Sequence, residues 1–225
     1  MILFSGNISA EAKSIGLIIV TMLLFSTQDA IAKTLIQSYP PIQVVWARYT
    51  SQTMASIVIL LPIIGSVLKT KNIGIQLFRS TFLFGATFCF FSSLKILQLA
   101  QVNAIFQVAP LFVTALSVFI LRESVGVRRW GGVLMGMLGA IIIIRPGSTA
   151  FSFALILPIG AALSYASYLI ATKYLSNEEA PTTNFLYTSL IGFVLASLLV
   201  PAAWTPISPS DLFTFMSFGL LGAFG

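Results

Sequence analysis

The sequence contains no histidine and a single cysteine, Cys89. Without histidine, the chain lacks the commonest proton shuttle and metal ligand. One cysteine cannot form an intramolecular disulfide, and no metal-ligand spacing is present, so we expect neither a metal nor another cofactor. Cys89 itself lies inside an apolar block, and we interpret it as a small buried apolar residue.

Charged residues are also scarce, at 8% of the chain, whereas 57% of its residues are hydrophobic. An average soluble domain is about 25% charged, and so few charges cannot cover the surface of a soluble fold. The apolar residues form long blocks, and a block of about 18 or more is typical of a helix that crosses a bilayer. The sequence therefore predicts an all-α, polytopic membrane protein and excludes a soluble enzyme.

Seven complete spans and the start of an eighth are predicted. The last block is too short to cross the hydrocarbon core, so we expect the sequence to be a fragment of a longer protein. The first block carries Asp29 and Lys33, which a cleavable signal peptide would not. The predicted spans are 15–37, 42–65, 78–99, 102–121, 128–145, 152–173 and 183–203, and the incomplete eighth starts near 212 and runs to 225.

The net charge of +6 would suggest nucleic-acid binding in a soluble protein. Here the basic residues fall between apolar blocks, which indicates membrane topology and no nucleic-acid partner. With a cytoplasmic N-terminus, the outer segments hold only Arg145, so we predict a multi-pass protein of the inner (plasma) membrane in that orientation. The inner segments then hold Lys13, Lys69, Lys71, Arg79, Arg122, Arg128, Arg129 and Lys173.

A faint repeat relates the two parts of the chain at an offset of 139 residues, which places 23–62 over 162–201. An odd number of spans separates the copies, so the second would enter the membrane upside down. Inverted repeats are typical of secondary transporters and carry the substrate site at their interface. Chance similarity between apolar helices stays open as the alternative.

Four ionisable residues lie inside predicted spans, at a cost of about 2.5–3.5 kcal/mol each near the bilayer centre. Asp29 and Lys33 share one helix face, and Arg48 lies at a similar depth below the outer surface. In one interpretation Lys33 and Lys95 extend to the headgroups while Asp29 only neutralises a neighbouring cation. In the other, the four residues line a polar cavity, open toward the outside in one state, with excess positive charge.

Such a cavity would attract a carboxylate, a phosphate or a zwitterion. Arg48 is the candidate for bidentate contact with an anionic group. Asp29 is the candidate for a proton carrier or for binding an ammonium or sulfonium group. Gln28, Asn103 and Gln107 could extend the polar surface, and Pro110 predicts a kink in the fourth span, with a plain packing kink as the alternative.

The remaining motifs have simpler interpretations. Gly132, Gly136 and Gly139 in the fifth span predict close helix packing, within the bundle or between the protomers of a homodimer. Glu178 and Glu179 are predicted to lie in a solvated loop with no specific role.

In combination, several motifs resemble the drug/metabolite transporter superfamily in its EamA-domain branch. No single motif is diagnostic, and the resemblance depends on their order and spacing. They are Asp29-Ala-Ile-Ala-Lys33, Trp46-Ala47-Arg48, Ala109-Pro110-Leu111-Phe112, Leu121-Arg122-Glu123, and Arg129-Trp130-Gly131-Gly132 continuing to Arg145-Pro146-Gly147.

The resemblance implies ten spans in two inverted five-span repeats, here 15–147 and an incomplete 152–225. It implies a permease that moves small metabolites by alternating access, coupled to protons or to exchange. Asp29, Lys33 and Arg48 look most like the set in bacterial carriers that include S-adenosylmethionine uptake transporters. By the 139 offset, however, Asp29 falls on Tyr168 and Arg48 on Tyr187, so the two halves are chemically unequal.

Three functions make different demands on the sequence. A secondary transporter of a small amphoteric or anionic metabolite, which includes an exporter of the same superfamily, is supported by the repeat and the polar cluster. An intramembrane enzyme would need paired acids or a metal set, and Asp29 is the only acid well inside a span. A non-transporting membrane scaffold predicts that neutral substitutions at Arg48 and Asp29 leave uptake unchanged.

Overall fold

The computed structural model describes residues 10–122, 126–144, 153–176 and 178–224, and in these ranges it contains helices and their connections but no strand. The predicted all-α, polytopic membrane architecture is confirmed. The helices are α1 (Ala10–Ser38), α2 (Pro41–Leu60), α3 (Ile64–Val67), α4 (Ile73–Leu94), α5 (Leu99–Phe106), α6 (Ala109–Leu121), α7 (Val127–Ile144), α8 (Ile156–Leu175), α9 (Pro181–Leu199) and α10 (Pro209–Phe224).

Within the described ranges, five helical segments are long and apolar enough to cross a membrane. The helices α7, α8 and α10 lie where the fifth, sixth and eighth spans were predicted. The predicted start of the third span at residue 78 is wrong, because α4 begins at Ile73. The five segments are Ser14–Ser38, Pro41–Val67, Ile73–Leu94, Leu99–Leu121 and Pro181–Ala203.

Proline positions explain several helix boundaries. Pro41 and Pro181 occupy the first turn of α2 and α9, where a missing N–H removes no intrahelical hydrogen bond. Pro62 and Pro201 lie in 3₁₀ turns that follow the same two helices. At the end of α6, Arg122 adopts a left-handed conformation with φ of 53°, which stops the helix.

The fourth span consists of two helices rather than one. It is interrupted at Gln107 and Val108, and α6 restarts one residue before Pro110. The Val108 amide donates to the Ile105 carbonyl at 3.0 Å, which is a tight turn in place of the regular helical bond. The interruption therefore falls beside the proline that predicted a kink.

The helices α4 and α8 share the most extensive contact in the bundle, followed by α2 with α9 and α10 with α2. Additional contacts join α4 to α9 and α1 to α10. The α2–α9 crossing is close, since a Cβ atom at Gly192 would overlap the ring of Tyr49, which is buried. The core of the bundle therefore depends on small residues where these helices cross.

The glycines of α7 make no comparable approach. A Cβ atom at Gly132, Gly136 or Gly139 would meet no atom of the described chain within 4 Å. Their packing role, whether in the bundle or in a homodimer, stays a prediction.

Candidate functional site: a polar cavity between the helices

Two adjoining cavities lie between the helices, one of about 520 Å³ and one of about 210 Å³. Phe25 from α1, Arg48 from α2, Leu83 from α4 and Tyr165 from α8 line both of them. The two spaces therefore form one region around Arg48. Polar groups and aromatic rings make up much of its wall.

Arg48 lies at the boundary between the two cavities. Its guanidinium carbon is 5.9 Å from the centre of the Phe25 ring and 5.8 Å from that of Phe91, which is the range of cation–π contacts. Among the described residues, no carboxylate oxygen lies within ion-pair distance of this guanidinium. Its hydrogen-bond donors are thus free to bind an anionic group in the cavity.

Asp29 and Asn103 line the smaller cavity together with Arg48. Asp29 is half-buried, and Arg48 is the positive charge that acts on it. The structure therefore brings Asp29 and Arg48 to one space, as the shared depth predicted, and adds Asn103 from α5. A negative and a positive group on one wall suit a ligand of mixed sign.

Lys33 lies elsewhere, although it shares a helix face with Asp29. Its Nζ donates to the carbonyl oxygens of Leu94 at 2.6 Å and Leu97 at 2.9 Å. These groups close the C-terminal end of α4, where carbonyls lack helical partners and a cation is favourable. Lys33 thus caps α4 and lines neither of the two cavities.

The other predicted polar residues are spread over the bundle. Gln28 is buried and its Nε2 donates to the Phe218 carbonyl at 3.4 Å, which joins α1 to α10. Lys95 and Gln107 are exposed, and neither lines the two cavities around Arg48. Of the predicted set, the cavity region therefore contains Asp29, Arg48 and Asn103.

Arg79 is a cavity residue that the sequence analysis missed. It was placed in a cytoplasmic segment, but it lies in the second turn of α4, is 1% exposed and lines the larger cavity. Its Nη2 donates to the Asn184 carbonyl and, at 2.5 Å, to the Thr188 hydroxyl, and its Nη1 lies 3.4 Å from the Thr172 hydroxyl. Arg79 is therefore part of a helix and of the cavity wall, and its predicted place in a loop-side inner segment is wrong.

A signal for this position was present in the sequence. Gln76, Arg79, Ser80 and Thr87 recur at the spacing of one helix face, and all four are buried. A polar stripe at helical spacing in an apolar segment indicates a face that points into the protein. The ring of Tyr168, 5.2 Å from the Arg79 guanidinium carbon, occupies the position that the 139 offset pairs with Asp29.

A model of the EamA-like transporter family matches residues 12–145, which is more than half of the 225 residues. The chain belongs to the EamA-like transporter family. The predicted resemblance is confirmed, and the protein is a transporter-family member rather than an enzyme.

Curated relatives of this EamA-family chain are small-molecule transporters. It is similar to a riboflavin transporter of Vibrio cholerae, with 34% identity over 160 residues that cover 68% of this chain and 53% of that protein. The match thus spans about half the length of that relative. It is also similar to an S-adenosylmethionine uptake transporter of Rickettsia bellii, with 25% identity over 215 residues that cover 94% of this chain and 72% of that protein.

The fold is shared with a protein of known crystal structure. The two superpose with a TM-score of 0.63 at 21% identity, and the match covers 91% of this chain and 76% of the other. At this identity the likeness shows the fold alone.

Polar connections close the EamA bundle at both ends. At the first, called the Glu179 end, Glu179 accepts hydrogen bonds from the Thr70 hydroxyl at 2.6 Å and the Lys71 amide at 3.1 Å. Beside it, Asn72 donates to Glu178 at 2.5 Å. The two glutamates lie in the connection between α8 and α9, as predicted, but the expectation that they do nothing specific is wrong, because both accept hydrogen bonds and Glu179 also lines the larger cavity.

The opposite end, called the Asp211 end, joins the α1–α2 connection to the segment before α10. The Tyr39 hydroxyl donates to Asp211 at 2.7 Å and accepts from the Ser208 amide at 3.0 Å. Gln43 exchanges two hydrogen bonds with the backbone of Thr205, at 2.8 and 3.0 Å.

Proposed function

We propose that this EamA-family protein is an inner-membrane secondary transporter that moves a small amphoteric or anionic metabolite by alternating access. The observation that carries the proposal is the cavity region around Arg48. There Arg48, which has no carboxylate within ion-pair distance in the described part of the chain, and Asp29 line one wall. Arg48 is half-buried within a membrane-spanning helix, and a cation there is costly unless an ion pair or a ligand compensates it. Binding a carboxylate there supplies that compensation.

The mixed signs of the wall suit a zwitterionic substrate. Arg48 would hold a carboxylate through two parallel hydrogen bonds, and Asp29 would face an ammonium or sulfonium group. The rings of Phe25, Phe106 and Tyr165 would cover an aromatic or otherwise flat part of the molecule. S-adenosylmethionine and related amino acids combine these features, and riboflavin would use mainly the rings.

The packing of the helices supports an inverted repeat over 15–147 and 152–225. In an inverted repeat, α1, α2 and α4 of the first copy correspond to α8, α9 and α10 of the second. Exchanging the corresponding helices converts the α4–α8 contact into the α10–α1 contact. The same exchange turns the α4–α9 contact into the α10–α2 contact and leaves the α2–α9 contact in place. All of these contacts are present, as a symmetric transporter architecture requires.

The connections at the two ends support alternating access. By the 139 offset, Tyr39 corresponds to Glu178 and Asp211 corresponds to Asn72. The hydrogen bond at the Asp211 end therefore has a counterpart at the Glu179 end. Opening one end while the other stays closed would expose the same cavity to each side in turn. With the N-terminus in the cytoplasm, the Glu179 end faces the cytoplasm.

Uptake into membrane vesicles tests the function. Radiolabelled S-adenosylmethionine, riboflavin and amino acids are offered to vesicles that contain the full-length protein, in right-side-out and inverted orientation, which separates an importer from an exporter. Repeating uptake with an ionophore or with unlabelled substrate inside the vesicle separates proton coupling from exchange. We expect Arg48→Ala to lower uptake about tenfold or more, since hydrogen bonds to charged groups contribute about 1.5–3 kcal/mol.

The matched control is Lys95→Ala, which removes an exposed cation outside the cavities and should leave uptake unchanged. Normal transport by a protein that carries both Arg48→Ala and Asp29→Asn would remove the basis of this site. A protein that inserts normally but moves none of the substrates in either vesicle orientation would favour the scaffold alternative.

A further inference from the structure

Arg79 is a buried cation whose observed partners are all neutral. The Asn184 carbonyl and the hydroxyls of Thr172 and Thr188 accept from its Nη atoms. Both hydroxyls are uncharged, and each donates its own proton to a backbone carbonyl. In the described part of the chain, no carboxylate lies within ion-pair distance of Arg79, and its buried Nε has no hydrogen-bond partner.

Such an arrangement is costly for a group that serves only to join helices. Neutral acceptors leave the positive charge uncompensated, and an unpaired buried donor adds about 1–3 kcal/mol. A tether between α4, α8 and α9 could be built from uncharged groups, as the nearby hydrogen bond from Gln76 to Asn184 at 2.7 Å illustrates. The charge itself therefore requires a further explanation.

The position of Arg79 supplies that explanation. It lines the larger cavity beside Tyr168 and Phe185, and Arg48 lines the same cavity, whereas Asp29 lines only the smaller one. Among the described residues of the larger wall, Glu179 is the carboxylate, and it accepts from the Thr70 hydroxyl and from the Lys71 amide. The larger cavity therefore has a positively charged interior that extends beyond the Arg48–Asp29 wall.

We propose that Arg79 is a second anion-binding residue, which takes the carboxylate or phosphate oxygens of a ligand with an aromatic body. The Nε–H, which has no partner, and the remaining Nη1–H point to different sides of the guanidinium, so one of them would donate a single hydrogen bond to a ligand oxygen while the charge attracts the oxyanion. The Tyr168 ring holds the guanidinium in place from one side, and Tyr165, 5.8 Å from Tyr168 between ring centres, continues the aromatic wall. This proposal rests on the proposed transport function and narrows its substrate class to aromatic anions.

Binding of matched small probes tests the proposal. Radiolabelled phenylacetate is the anionic probe, and unlabelled phenylacetamide is its neutral counterpart in competition with it. The chain reconstituted in lipid nanodiscs should bind phenylacetate, and phenylacetamide should compete at least tenfold more weakly. Arg79→Gln should weaken phenylacetate binding at least tenfold, whereas Arg79→Lys, which keeps a charge but not the guanidinium donors, should weaken it less.

The control variant is Thr172→Val, which removes one hydrogen bond to Arg79 and keeps the charge. Binding of phenylacetate should survive in this variant. A purely structural role of Arg79 predicts instead that Arg79→Gln and Thr172→Val lower stability and leave the preference for the anion unchanged, which would overturn the proposal.

A measurement on the unaltered chain covers the case in which Arg79→Gln does not fold. Phenylglyoxal modifies reachable arginines, and peptide mass spectrometry reports each site. Modification of Arg79 should be slowed by phenylacetate and not by phenylacetamide. Absence of modification, or equal rates with both probes, would contradict an anion site at Arg79.

The outcomes separate this proposal from the proposed function. Phenylacetate binding that is lost in Arg48→Gln and intact in Arg79→Gln overturns the second site and leaves the transporter proposal in place. Failure of both phenylacetate and phenyl phosphate to bind the wild-type chain overturns the anion site, while the vesicle uptake assay still decides transport.

Discussion

At the scale of the residue, Lys33 shows how far a lysine can reach. Periodicity places it on the face of Asp29, but its long side chain extends to the carbonyl of Leu94, the last residue of α4, and to that of Leu97 in the connection that follows. We expect Lys33→Met to lower the free energy of unfolding by about 1.5–3 kcal/mol, because two hydrogen bonds to a charged group and a helix cap are lost. The thermal unfolding midpoint in detergent measures this effect.

Lys95→Met is the matched control, since Lys95 is exposed at the same end of α4. It should unfold at nearly the wild-type temperature. If both variants unfold at the wild-type midpoint, the capping role of Lys33 is wrong. Uptake by Lys33→Met would then test whether Lys33 binds substrate.

The sequence predicted Asp29 and Arg48 as cavity residues because a charge deep in an apolar block must point inward. It could not predict Arg79, because hydropathy sets the start of a span at the first long apolar run. A charge in the first two turns then looks like part of the preceding loop. Only the polar stripe with Gln76 and Ser80 distinguishes the two cases, and the acceptors of Arg79 lie on distant helices.

At the scale of the element, the α2–α9 crossing depends on Gly192. A methyl group there would overlap the buried Tyr49 ring. We expect Gly192→Ala to destabilise the bundle by about 1–3 kcal/mol, which is the usual cost of overpacking. Thermal unfolding and the yield of monodisperse protein in detergent report the effect.

Gly160→Ala on α8 provides the comparison, because a Cβ atom there meets nothing within 4 Å. It should be neutral or stabilising by up to about 1 kcal/mol, since alanine favours the helix. Equal unfolding midpoints for Gly192→Ala and Gly160→Ala would contradict the close approach of α2 and α9 at Gly192.

Most helices could be predicted from the sequence because long apolar blocks and prolines mark them independently of partners. Pro41 and Pro181 begin helices close to the predicted starts. The interruption of the fourth span was predicted only as a kink at Pro110, since a proline removes one hydrogen bond but does not fix how the chain restarts. The contacts between helices had no counterpart in the sequence beyond the faint repeat.

At the scale of the whole molecule, the hydrogen bonds at the Glu179 end and those at the Asp211 end should favour opposite openings of the cavity. Glu179→Ala removes two hydrogen bonds at the Glu179 end, and a net loss of about 1 kcal/mol shifts a two-state balance about fivefold. The reporter is Gln52→Cys in a protein that also carries Cys89→Ser. We expect Glu179→Ala to speed its labelling by a membrane-impermeant thiol reagent added from the Glu179 side. Gln52 lines the larger cavity and reports its access.

Tyr39→Phe removes the hydroxyl that joins Asp211 and Ser208, so it should slow the same labelling by favouring the opposite opening. The controls are Ser176→Ala at the Glu179 end and Tyr174→Phe, whose ring is exposed. Changes in the same direction for Glu179→Ala and Tyr39→Phe would contradict alternating access.

The substrate could not be predicted from the sequence at this scale. The sign of each charge can be read from the sequence, but the shape of the larger cavity depends on six helices, and packing sets their relative positions. The aromatic wall at Tyr165 and Tyr168 lies on α8, where the sequence showed only that the second half lacks the charges of the first.

The partners of Arg79 also set an order for biogenesis. The Thr172 hydroxyl and the Asn184 carbonyl lie 93 and 105 residues further along the chain, so both are synthesised well after α4. At about 5–20 residues per second, a ribosome needs about 5–20 s to deliver them. During that interval the guanidinium must be accommodated by the insertion machinery, by water or by lipid phosphates. The hydrogen bonds that fix Arg79 on α4 therefore form only after the second half of the chain has been synthesised.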